Sequence, residues 1–111
     1  MSVTISPIIP AKIAEATQTT QFTSTGVQTI IDKFTATNYS AAAATISVNL
    51  VTSADTAGNQ NLIVKTKSLQ PGETYTFPEI VGHVLEASGF ISTIADTATT
   101  ITIRASGRQV S

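Results

Sequence analysis

The sequence contains no cysteine and no tryptophan. Without thiols, neither a disulfide framework nor a thiolate metal site can form, and the composition fits assembly in a reducing cytoplasm. Charge is scarce: 6 Lys and Arg against 7 Asp and Glu leave a net charge of −1. That excludes the basic field that draws nucleic acid and the polybasic patch that holds an anionic membrane surface. No run approaches the roughly 18 apolar residues of a membrane-spanning helix. The opening MSVTISPIIPAKIAEA has no basic stretch ahead of its apolar residues, and Pro7 and Pro10 break the run, so no secretory leader is expected there. Internal repeats and low-complexity tails are absent as well. The inventory for chemistry is equally thin: one histidine, no Gly-x-Ser-x-Gly elbow, and scattered acids that fall mostly in expected turns. The expectation is a protein that is not an enzyme and uses no cofactor or metal.

What is abundant is hydroxyl. Thr and Ser together exceed a quarter of the residues. Threonine is β-branched and suits a pleated, half-exposed surface. A surface of short hydroxyl side chains loses little rotamer entropy on contact, which favours packing against other subunits. At 111 residues the chain is one domain, large enough for a single core.

The pattern along the chain is that of strands cut by turns. Thr45–Leu50 alternates polar and apolar, the period of a strand with one buried face. Leu62–Lys67 is a second run, with Leu62, Val64 and Thr66 on one side. Pro71-Gly72 supplies the fixed φ and the permissive residue of a type II turn. In Val27–Asn38 the apolar phase slips by one residue at Asp32-Lys33, as a β-bulge would make it slip. Phe90–Ala95 and Thr99–Ser106 complete the set, the latter with Ile101, Ile103 and Ala105 inward. The fold class is therefore all-β: a single Ig-like or jelly-roll-like antiparallel β-sandwich of about seven strands. Residues 1–20 read as an extended N-terminal arm and 21–111 as the sandwich. The arm's Ile8 and Ile9 need cover, either as an edge strand of their own sandwich or docked on a neighbouring subunit. Within 78–86, Ile80, Val81, Val84 and Leu85 are spaced for a short helical turn behind Pro78, with a strand as the alternative.

Candidate sites are sparse. On a helix, Glu79, His83 and Glu86 would share a face, a conceivable acid/base or metal trio lacking a fourth ligand. Asp55–Asn61 carries oxygen-bearing side chains but one carboxylate, without calcium-loop spacing; a plain loop is the simpler reading. As a sandwich-end loop it is still a natural partner contact, through Asp55, Asn59 and Asn61. Arg104 and Arg108 could pair with acids on a neighbour. A sugar platform would need exposed coplanar aromatics, for which Tyr39 and Tyr75 are the candidates.

The strings FTATNYSAAAATISVNLV, NLIVKTKSLQPGETYTFPEIVGHVLEASGFIST and ITIRASGRQV resemble a group of small tailed-bacteriophage virion structural proteins, over residues from about 20 onward; PGETYTFPEIVGHVL is the most specific part. The resemblance implies a β-sandwich without enzymatic motifs, carried in the virion and assembled in the host cytoplasm. Its partners would be major capsid or other virion proteins and copies of itself, with neither nucleic acid nor membrane. A capsid decoration or cementing subunit is the leading expectation. The alternatives are a neck, tail or fibre-associated protein, or a carbohydrate-binding adhesive module.

Overall fold

The structure, a computed structural model, describes residues 2–111. Its elements are β1 (Val3–Ile13), β2 (Thr19–Thr23), β3 (Gln28–Asn38), β4 (Ala44–Val51), a 3-10 turn (Asn59–Asn61), β5 (Leu62–Leu69), β6 (Thr74–Tyr75), β7 (Val84–Leu85), β8 (Phe90–Ala95) and β9 (Ile101–Val110). Seven of the strands are five residues or longer. All pairings are antiparallel. One sheet runs β1-β9-β3-β6, with β7 also on β3; the other runs β2-β8-β4-β5. The partners nest: β1 with β9, β2 with β8, β3 with β6 and β7, β4 with β5. A long antiparallel ribbon rolled up so that β9 reaches β3 and β8 reaches β4 has this wiring. It is the jelly-roll form of the sandwich.

Bulges fix which side chains enter the core. On β3 the register steps from Ile31 opposite Gly107 to Lys33 opposite Ser106, leaving Asp32 as the surplus residue. Thr29 and Ile31 are buried before it and Phe34, Ala36 and Asn38 after it, as the phase slip in the sequence anticipates. β5 has a bulge that the sequence does not signal. Thr66 has φ 46, and its N–H donates to Ser47 Oγ at 2.8 Å. The slip puts Leu69 in the core and turns Thr66 out, away from the side it was expected to share with Val64. On β1, the steps from Ser6 to Ile9 and from Ile9 to Lys12 each spend three residues against two on β9. The surplus residues fall where Pro7 and Pro10 sit, and proline, having no N–H to give a ladder, is tolerated there.

Residues 3–13, expected as part of an arm distinct from the sandwich, are thus the edge strand of the five-stranded sheet. Of the two placements the sequence left open, the structure shows the strand within its own sandwich. Ile8 is 5% exposed and Ile9 fully buried, both in the single core with Ile31, Phe34, Ile46 and Ile103. Phe34 and Phe77 meet edge to face at 5.0 Å. Pro71-Gly72 makes the expected turn, with Gly72 at φ 79 and Glu73 N–H bonded to Gln70 O at 3.0 Å.

The segment 78–86 forms no helix. Ile80 and Val81 N–H groups return to Phe77 O, closing one turn, and Val84–Leu85 is strand. Gly82 N–H then donates to Ile31 O at 2.7 Å and His83 O accepts from Ile31 N–H at 3.0 Å. These bonds to β3 complete the ladder opposite the Asp32 bulge, and a helix would forfeit them. Ile80 and Leu85 are buried while Val81 and Val84 face solvent, so the four-residue stripe is split between two environments. β6, this turn and β7 together act as one interrupted edge strand.

Candidate functional site

Register across the five-stranded sheet decides what its outer face presents. Ile5 lies opposite Arg108, Arg108 opposite Ile30, and Ile30 opposite Val84, so one row crosses β1, β9, β3 and β7. Directly opposed side chains share a face and touch. Ile5 is 80% exposed, Val84 is 49% exposed, and Ile30 is half-buried. The neighbouring row adds Val3, 54% exposed, opposite Val110. Arg108 does not break this apolar strip. Its Nε and Nη2 form a fork on the Asp32 carboxylate, both at 3.0 Å, which draws the charged head toward β3 and leaves its aliphatic stem in the row. Asp32 in turn raises the Arg108 pKa. The bulge at Asp32 thus also supplies this anchor. Beside the strip the same face carries the Lys33–Ser106 and Thr35–Arg104 pairs, and beyond them Thr102, Thr37 and Thr74 lie in register across β9, β3 and β6.

The residues singled out from sequence fall in different places. Ile8 and Ile9 are buried in the chain's own core. Arg108 pairs within its own chain. Arg104 is exposed, and among the described residues its guanidinium meets no acid. Asp55 and Asn59 are exposed in the loop between β4 and β5, whereas Asn61 is buried and structural. Asn61 Oδ1 accepts from Asn49 Nδ2 at 2.8 Å and from Gly58 N–H, and its amide donates to Thr56 O. Asp55 turns inward to the Thr56 N–H and the Gln60 amide, which lower its pKa. The Asp55 and Asn61 oxygens are therefore committed to holding the loop.

Glu79, His83 and Glu86 do not converge. Glu79 accepts from Tyr75 Oη at 2.7 Å, Glu86 accepts from Gln28 Nε2, and no group of three acids or histidines among the described residues is placed to hold a metal. The Tyr75 bond lowers the Glu79 pKa and raises that of Tyr75. Tyr75 also packs edge to face on Phe77, with Lys67 Nζ 4.3 Å from its ring centre. Tyr39 is half exposed and stacks on no other ring. The two tyrosines do not form a stacked platform. Among the described residues no helix is long and apolar enough to cross a membrane.

Sequence reasoning missed the apolar strip because its members are far apart in the chain, at positions 5, 30, 84 and 108. The exposed apolar residues were visible individually; only the register aligns them. No protein-family model, curated protein or solved structure matches the chain.

Proposed function

We propose that the chain is a structural subunit of a bacteriophage virion, and within it a decoration subunit that stabilises the head by clamping neighbouring major capsid subunits. One observation carries the reading: a sheet face crossed by an exposed apolar strip of Ile5, Ile30 and Val84, in which the one charged member, Arg108, is tied to Asp32. Apolar side chains lined up on an exposed sheet face are what an interface needs, while a freely dispersed domain gains nothing from them. The resemblance of residues from about 20 onward to small virion proteins supplies the particle, and the jelly-roll wiring is one that capsid domains use, a likeness of fold alone. Many copies on one shell would make modest single contacts collectively strong.

Quantitative mass spectrometry of purified particles tests this. Copy numbers in the hundreds, falling when Ile5→Asp and Val84→Asp are combined, are the expected result. A handful of copies per particle would move the chain to the neck, tail or fibre, and none would remove it from the virion altogether.

A further inference from the structure

The edge of β1 carries a second, independent feature. Ser2 and Ser111 exchange both backbone bonds, at 3.0 and 2.9 Å. Bonded and non-bonded pairs alternate along an antiparallel ladder. With Thr4 opposite Gln109 and Ser6 opposite Gly107, the N–H and C=O groups of Thr4 and Ser6 also turn toward β9. Those of Val3 and Ile5 therefore point away from the sheet, along an edge no strand of this chain covers. The next outward position is Pro7, which has no N–H, so the open ladder ends there.

We propose that this edge pairs with the same edge of a second copy, as a two-fold antiparallel β1–β1 contact centred on Thr4. In that register Val3 faces Ile5 of the other copy and Ile5 faces its Val3, each pair exchanging two N–H···O bonds. All outward N–H groups between Ser2 and Pro7 are then satisfied. The same register stacks Val3 and Ile5 of both copies into an apolar seam on the outer face, where Ile5 is now 80% exposed. A symmetric contact needs a self-complementary patch, and this one is so by position and by charge: Ser2–Ser6 carries no charged side chain. The contrast with the other long open edge, β5, is informative. There Lys65 and Lys67 stand on the strand, and lysine on an edge is a standard guard against pairing. β1 carries no such guard until Pro7.

The seam is short. A contact this small lies below about 1,200 Å² and belongs with weak, reversible association, half-formed at on the order of 100 µM. The inference rests on β1 alone, and it stands or falls separately from the virion reading.

The chain lacks cysteine, so Thr4→Cys introduces a single thiol, one from each copy meeting on the two-fold. A non-bonded antiparallel pair has Cα atoms about 4.5 Å apart, within disulfide range. Sedimentation of the unmodified full chain from about 10 to 500 µM should show a mass rising from 11.5 kDa toward twice that. Mild oxidation should crosslink Thr4→Cys efficiently and the control Thr20→Cys, on the β2 edge, poorly. Ile5→Pro removes an outward N–H and the exposed Ile5 side chain but no bond to β9, so it should keep the fold, abolish the dimer, and block crosslinking when combined with Thr4→Cys. Should Ile5→Pro fail to fold, the ratio of crosslinking at Thr4→Cys to Thr20→Cys decides alone. A chain that stays monomeric at 500 µM overturns the proposal, as does a dimer that Thr4→Cys cannot capture.

Discussion

Asn38 is fully buried at the end of β3, and replacing its amide should unfasten one end of the sandwich. Its Nδ2 donates to Ala42 O at 2.8 Å and Leu69 O at 2.9 Å, while its Oδ1 accepts from Ser40 N–H and Ser40 Oγ. Its backbone takes Gly72 N–H and gives N–H to Glu73 O. One residue therefore ties together the turn before β4, the end of β5 and the Pro71-Gly72 turn. Asn38→Asp keeps the shape and replaces the donating amide with a second oxygen facing two carbonyls. Losing a hydrogen bond costs about 1 kcal/mol, and stranding a buried polar group about 1–3 kcal/mol. Two lost bonds and a stranded carbonyl then sum to about 3–5 kcal/mol, a large share of the roughly 5–15 kcal/mol that holds a domain of this size. The pH dependence sharpens the test. A carboxylate buried against carbonyls has its folded pKa raised above its unfolded value, so the variant should be most stable below the unfolded pKa and lose stability as pH rises. Urea melts between pH 3 and 8 read this directly. An Asn38→Asp protein with wild-type stability at pH 7 and an unchanged pH profile would refute the reasoning.

Gly107 lies on β9 against the β3 bulge, where an added Cβ would fall 2.4 Å from Ile30 O, a backbone atom that cannot step aside; Gly107→Ala should cost about 1–3 kcal/mol in a denaturant melt. Ile9→Ala should cost about 2–5 kcal/mol, as a buried truncation does, while Ile5→Ala should stay within about 0.5 kcal/mol. Equal, negligible effects at both sites would mean that residues 3–13 are not part of the domain. Wild-type stability should fall modestly on acidification. Glu15, held by Lys12 and Gln21, and Glu79, held by Tyr75, both have folded pKa values below the ordinary 4.5. Their contribution is present above that value and lost as pH drops through the lower folded values. The pH dependence of thermal melts should shrink in that range when Glu15→Gln and Glu79→Gln are combined, with Asp55 left to contribute in the same direction.

The sequence by itself determined the class of fold and much of its punctuation. Period-2 alternation in Thr45–Leu50, the strand run Phe90–Ala95, the phase slip at Asp32 and the Pro71-Gly72 turn are local signals, each set by one residue's φ or by which neighbour is apolar. All reappear as strand, bulge and turn. What lies between distant segments was decided only by tertiary structure. Ile80, Val81, Val84 and Leu85 match a helix by spacing, but the open backbone groups of Ile31 claimed that segment for the sheet. The bulge at Thr66 follows from Ser47 on another strand. Ile8 and Ile9 suit either an edge strand of their own sandwich or an arm docked on a neighbour, and β9 settled it. The alignment of Ile5, Arg108, Ile30 and Val84 belongs to the same category. Alternation says which face a side chain takes, but which residues stand beside one another depends on register, and register is set by bulges and partners remote in the chain.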